Sequence, residues 1–333
     1  MTAAIAGMVV SALVIYLSCE FFVNAVEWLG KKWGVNQTAI GSVLAAFGTA
    51  LPESTVTLVA TAFGASNSQK QIGIGAALGG PLALSTIAYA VVGISLLVFS
   101  RRGSAAAPMV TVNVTRLRRD QAWFLAIFAV KIVLGVLVFS FKPWLGVMFL
   151  TAYAWYLRSE LSGEHTQDEG ELEPLKLRPR DLNPSTTWVL IQSALSVAVI
   201  FVASRVFVGQ LETVGTGLGL APQLAALFLS PIATELPETL NAIIWVRQGK
   251  ERLALANISG AMMVQATVPT ALCLFFTPWI LDRSLLISAA FTAVATALLF
   301  LLFRRNRVSG FALAQVGWLY ALFVLTLITL ARI

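Results

Sequence analysis

The chain has 333 residues, 58% of them hydrophobic and only 12% charged. Soluble domains carry about 25% charged residues, so this composition excludes a large-cored soluble protein and points to an integral membrane protein in a lipid bilayer. The net charge of +7 would suggest a nucleic-acid partner in a soluble chain. Here the basic residues sit in short loops between apolar runs, so they read as topology signals and no nucleic acid is expected.

In chain order, the stretch from Met1 to Gly30 lacks a basic n-region and stays apolar too long for a signal peptide. It is expected to be a spanning helix rather than a cleaved leader. Apolar segments of spanning length fall at 3–28, 35–63, 72–99, 121–140, 143–158, 186–207, 218–246, 253–277, 279–303 and 309–331. The fifth is short, with Pro143 marking its start. The glycine-rich run from Gly73 to Gly80 has a phosphate-loop composition but no following Lys-Ser/Thr, so close helix packing is expected there. Lys131, deep in the fourth segment, is expected to snorkel or to pair with an acid such as Glu20. Cys19 and Cys273 lie in apolar segments and are expected to be free buried thiols.

The one hydrophilic break, 159–184, holds seven acids and three bases in no EF-hand spacing. It reads as a solvated cytoplasmic linker between a first unit, 1–158, and a second, 185–333. His165 lies in this break and is the single histidine, so no histidine metal cluster is expected. Nor does any Ser-His-Asp arrangement support an intramembrane enzyme. Loops after the odd-numbered segments hold 17 of the 23 basic residues, Lys31 and Lys32 at one end of the chain and Arg304, Arg305 and Arg307 at the other. The positive-inside rule then puts both termini on the non-cytoplasmic side, in a bacterial-type plasma (inner) membrane.

The two units repeat. Gly30, Gly34 and Glu53 match Gly215, Gly219 and Glu238 at a constant offset of 185; past the carboxylates the offset becomes 181, and Gly79 meets Gly260. Five helices per unit is an odd number, so the second unit must enter the membrane upside down, the plan of inverted-repeat transporters. The expected fold is therefore an all-α polytopic membrane protein of ten transmembrane helices in two inverted five-helix repeats.

Within the repeat, Gly48-Thr49-Ala50-Leu51-Pro52-Glu53 answers Ala233-Thr234-Glu235-Leu236-Pro237-Glu238. A mid-bilayer carboxylate costs roughly 2.5–3.5 kcal/mol on insertion scales, so two at matching places point to a use. Each proline lacks an N–H, which leaves the carbonyls of Gly48 and Ala233 without helical donors. The residue before proline is also pushed out of helical geometry, so the helix should open at Ala50–Leu51 and Glu235–Leu236. A carboxylate, a hydroxyl (Thr49 or Thr234) and loosened carbonyls form a hard oxygen set suited to Ca²⁺, Na⁺ or a proton. The second copy adds Glu235 one turn before Glu238. Two carboxylates so close repel, which makes the proton a competing or coupling ion.

These motifs resemble those of the calcium/cation antiporter superfamily, the group that includes the sodium/calcium exchangers. Gly48-Thr49-Ala50-Leu51-Pro52-Glu53 matches its G-T-S-L-P-E, with a second copy in an inverted repeat; Glu20 to Gly34 and Gly249 to Asn257 also fit. The resemblance implies that Glu53 and Glu238 are the central cation ligands, assisted by Thr49 and Thr234. The family's G-N-x-x-G-S-N-x-x-N/D reads Gly75-Ala76-Ala77-Leu78-Gly79-Gly80-Pro81-Leu82-Ala83-Leu84 in the third segment, without its serine and asparagines. In the eighth it reads Ala256 to Gln265, keeping Asn257 and placing Gln265 at the acidic or amide ligand position. The flanking positions associated with sodium thus lose their ligands, while the central site remains.

The expected function is secondary active cation antiport: Ca²⁺ leaves the cytoplasm in exchange for Na⁺ or H⁺ by alternating access at a midplane site of Glu53, Glu235 and Glu238. Inorganic cations are its substrates and no cofactor is expected. The alternatives are a non-transporting membrane scaffold descended from an exchanger and a monovalent Na⁺/H⁺-type antiporter.

Overall fold

Long runs of Leu, Val, Ile, Ala and Phe with few breakers give long helices, and in the computed structural model helices account for nearly every described segment. The structure describes residues 1–33, 50–99, 109–111, 113–161, 172–305 and 307–331. The helices are α1 (Thr2–Lys32), α2 (Leu51–Ala62), α3 (Asn67–Ala83), which runs through a π-turn at Leu84–Ala88 into α4 (Tyr89–Phe99), α5 (Val114–Val136) and α6 (Leu145–Leu161). They continue as α7 (Thr186–Gly217), α8 (Pro222–Thr234), α9 (Leu236–Arg247), α10 (Glu251–Phe276), α11 (Arg283–Leu302), α12 (Gly310–Val316) and α13 (Trp318–Ala331). Among the described residues, six helices or continuous helix pairs are long and apolar enough to cross a membrane.

Burial separates them into an outer and an inner set. Only 22% of the most apolar stretch of α1 and 17% of that of α12–α13 is buried, against 67% for α3–α4 and 83% for α10. Val9, Val10 and Leu13 on α1, Leu195 and Val202 on α7, and Leu322 and Leu325 on α13 are exposed. Apolar side chains standing outward on apolar helices suit a lipid surround. At the centre, α3 packs on α8 and α2, while α10 packs on α2, α5, α6 and α9. The glycines of α3 make that approach possible. A methyl at Gly79 would stand 2.7 Å from the Leu227 carbonyl oxygen and 2.9 Å from Pro231 of α8, tighter than any real contact.

The seventh apolar segment opens at Glu235, where its Leu-Pro-Glu motif leads one to expect it, into the two helices α8 and α9. Three expectations change. Among the described residues the fold is helical except for a short antiparallel ribbon in which Met109 pairs with Ser309 and Val110 with Val308, tying the loop after α4 to the one before α12. Part of the supposedly solvated linker is docked: Leu175 is fully buried beside Trp28, Ala25 and Val189. Its backbone is satisfied by membrane helices, with Trp28 Nε1 donating to the Glu173 carbonyl at 2.9 Å and Leu177 N donating to Gln192 Oε1 at 2.8 Å. Finally, Glu20 pairs with Lys176 at 3.0 Å, not with Lys131.

At the opposite end, Asp282 caps α11 by accepting from Leu285 N at 2.9 Å. Partial burial would raise its carboxyl, but hydrogen bonds from Ser284, Gln223 and the Leu285 and Ser284 N–H groups hold it below the usual range.

Candidate functional site

Both repeated stretches start a helix at the leucine of Leu-Pro-Glu, α2 at Leu51 and α9 at Leu236. Ala50 precedes α2 with φ −83° and ψ 0°, and Glu235 precedes α9 with φ −95° and ψ 3°. Both sit in the sparsely populated bridge region rather than in helical geometry. Each helix start is held by the same pair of bonds. Ser54 N and Oγ donate to the Ala50 carbonyl at 3.3 and 3.1 Å, and Thr239 N and Oγ1 donate to the Glu235 carbonyl at 3.1 and 2.7 Å. Pro52 occupies the first turn of α2, as Pro237 does of α9, where a missing N–H costs nothing.

The breaks gather buried polar groups. Glu53, Glu238 and Gln265 are fully buried, and Glu235 and Thr234 nearly so. Thr234 Oγ1 lies 2.6 Å from Glu53 Oε2, 3.1 Å from Glu235 Oε1 and 3.1 Å from the Ser230 carbonyl. The two carboxylates therefore approach within about 6 Å through one hydroxyl. One hydroxyl proton cannot serve three acceptors, and the shortest contact, to Glu53, takes it. The contact with Glu235 is left for a proton or a cation to fill. Gln265 Nε2 reaches both oxygens of Glu235, at 2.9 and 2.8 Å. Glu53 Oε1 and Gln265 Oε1 are buried with no hydrogen-bond partner among the described residues. Leaving such oxygens dry and unbonded costs about 1–3 kcal/mol each, more for a charged one.

Helix α3 closes one side. A methyl added at Gly80 would stand 2.6 Å from Gln265 Oε1 and 3.1 Å from Glu235 Oε1. The side chains of Glu235 and Gln265 thus fill the space that any larger residue at position 80 would need.

Of the residues singled out from sequence, the structure brings together Glu53, Thr234, Glu235 and Gln265. Glu238 is buried on the first turn of α9, yet no three acidic, histidine or cysteine side chains converge on one point among the described residues. Ala233 lies in the last turn of α8. Gly48 and Thr49 fall outside the described residues.

Sequence reasoning missed the role of Lys131. Its side chain is fully buried, and Nζ donates to the Ala77 carbonyl of α3 at 2.7 Å, beneath the rings of Phe128 and Trp279 at 5.5 and 5.7 Å. Pro81 leaves that carbonyl without its helical donor, because it lies four residues earlier. The signal was present in the proline spacing. Which donor would answer it was not.

The sodium/calcium exchanger protein family matches this chain over residues 3–159 and 188–329. The inner membrane protein YrbG of Escherichia coli K12 is 26% identical over 295 residues, covering 85% of this chain and 82% of its own length. The putative antiporter CaxA of Alkalimonas amylolytica is 23% identical over 339 residues, covering 95% and 97%. Among solved structures, the H⁺/Ca²⁺ exchanger CAX superposes with TM-score 0.76 at 17% identity, over 98% of this chain and 82% of that one. The sodium-calcium exchanger NCX_Mj gives TM-score 0.62 at 19% identity, over 98% and 100%. At such identities these structures speak for the fold.

Proposed function

The chain belongs to the sodium/calcium exchanger protein family, an integral membrane family within the calcium/cation antiporters, and we propose that it exports Ca²⁺ from the cytoplasm in exchange for H⁺ or Na⁺ by alternating access. The observation that carries this reading is the contact of Thr234 with Glu53, 181 residues apart, beside two helix starts of matching geometry. The ligands are Glu53, Glu235 and Glu238 with the Thr234 hydroxyl and the Gln265 carbonyl oxygen, completed by Thr49 and the Gly48 and Ala233 carbonyls. All are hard oxygens, the preference of Ca²⁺. The architecture behind this is ten spans in two inverted repeats, 1–158 and 185–333, joined by 159–184, with both termini outside the cytoplasm in the inner membrane.

The names of the relatives divide between H⁺ and Na⁺ as the coupling ion. Gly80 and Ala261, at the family's serine positions, remove hydroxyls from the flanking sites, while Glu235 adds a carboxylate beside Thr234. That balance favours protons. One observation supports a scaffold without transport: Leu84 and Met262, at former ligand positions, are fully buried and apolar.

Ca²⁺ uptake into inside-out membrane vesicles decides between them. Uptake driven by a proton or sodium gradient, and abolished by Glu53→Gln and Glu238→Gln, is expected. Its absence under both gradients overturns the antiport reading; its persistence in both variants overturns the site.

A further inference from the structure

Pro81 interrupts α3 where the helix passes the site. It has no N–H, so the buried Ala77 carbonyl, four residues earlier, lacks the donor that a helix would normally give it. A buried carbonyl needs a partner. It comes from another helix, with Lys131 Nζ of α5 donating to Ala77 O at 2.7 Å. The bond to an ammonium is charge-assisted and stronger than the peptide bond it replaces. An alanine at position 81 would have satisfied the same carbonyl without burying a charge, so the exchange points to a use.

Lys131 is itself held firmly. The rings of Phe128 and Trp279 cover Nζ at 5.5 and 5.7 Å, and Trp279 Nε1 donates to the Lys131 carbonyl at 3.0 Å. Trp279 is fully buried with a positive φ of 47°, and its own carbonyl accepts from Lys142 Nζ at 2.8 Å. A non-glycine residue keeps such a backbone only where its surroundings impose it.

Within one turn of Ala77, α3 meets the site with no side chain between. A Cβ at Gly79 would lie 2.7 Å from the Leu227 carbonyl oxygen, and one at Gly80 2.6 Å from Gln265 Oε1 and 3.1 Å from Glu235 Oε1. The turn from Ala77 to Pro81 is thus tied to α5 through Lys131 and pressed on the site through its two glycines. Where the tie holds this turn fixes how closely the α3 backbone confines Glu235 and Gln265.

We propose that Lys131 is a positioning residue of the cation site: its ammonium replaces the peptide donor that Pro81 removes, and so holds the Gly79–Gly80 wall against Glu235 and Gln265. It acts through the backbone of α3. The proposal rests on the cation site described above.

The test is a double-mutant cycle on the Kd for Ca²⁺ of the purified, detergent-solubilised protein, with Tm measured alongside. Lys131→Met should raise the Kd about tenfold, the scale of effect for stranding a buried carbonyl. Adding Pro81→Ala returns an N–H to that carbonyl, so the double variant should come back to within about twofold of the wild type. A Lys131→Met that lowers Tm but leaves the Kd unchanged gives the lysine a structural role alone and overturns the proposal. So does a double variant as impaired as Lys131→Met. If Lys131→Met does not fold, the double variant should fold and bind Ca²⁺, and its failure to do so also overturns the proposal. A wild type that binds no Ca²⁺ removes the Ca²⁺ reading instead. The Tm cycle then decides, and without recovery in the double variant the pairing of Lys131 with Pro81 falls too.

Discussion

The start of α2 and the break between α8 and α9 share backbone geometry at the residue before Leu-Pro and differ in chemistry. The first presents one carboxylate, Glu53, against α3, whose buried face near the break is Gly79, Gly80, Pro81 and Leu82. The second presents Glu235 and Glu238, with Gln265 of α10 holding Glu235 by both oxygens. The first half-site has traded polar ligands for a proline-freed carbonyl capped by Lys131; the second has kept an amide and added an acid. The two helix starts are alike in backbone, while their side chains put two carboxylates on one side and a single carboxylate near the buried Lys131 ammonium on the other.

That asymmetry fixes the order of mutational effects. Glu53 is the only acid of its half-site, so Glu53→Gln should lower Ca²⁺ uptake by about 100-fold, near the upper end for losing a charged hydrogen-bonding group. Glu235→Gln should cost only about tenfold, because Glu238 remains in the same half-site. Equal losses in a transport assay would dissolve the distinction between the halves. Gly80→Ala tests the packing of the two half-sites on each other. Its methyl meets Gln265 and Glu235, and overpacking of this kind costs about 1–3 kcal/mol. A lower Tm together with weaker uptake is expected, and a fully tolerated alanine would mean the two side chains are not confined as described.

Thr234→Val removes the hydroxyl that joins the two half-sites while keeping its shape. About 1 kcal/mol of hydrogen bonding is lost, which should raise the half-saturating Ca²⁺ concentration about fivefold with little change in maximal rate. The smallest effect comes from outside the comparison. Asp282→Ala removes the cap of α11 and should cost about 1 kcal/mol of stability, seen as a lower Tm, with the transport rate unchanged.

Much of this was legible in the residues. The Leu-Pro-Glu motif located the break between α8 and α9 at Glu235, because proline's missing N–H acts locally and follows from sequence alone, although Leu236 before the proline stays helical. The close packing of α3 followed from its glycine run, Gly73 to Gly80, which close helix approach requires. What sequence could not supply were the partners across space. Pro81 announces a freed carbonyl at Ala77, yet nothing local says that a lysine 54 positions later answers it. Glu20 offered a cheaper partner on charge alone, and three-dimensional proximity gave it to Lys176 instead. The docking of Leu175 was concealed in the same way, since one buried leucine in an acidic stretch has no periodic signal to mark it.

The central claim is that Glu53 and the Thr234–Glu238 stretch form one cation site shared between the two halves. Equilibrium binding of radioactive Ca²⁺ to the purified, detergent-solubilised protein tests it most directly. Saturable binding to the wild type is the predicted result, lost in both Glu53→Gln and Glu238→Gln. It should be retained in Glu212→Gln, whose half-buried carboxylate accepts from Gln69 Nε2 at 2.9 Å at the start of α3. Binding that survives in the Glu53→Gln/Glu238→Gln double variant would contradict it.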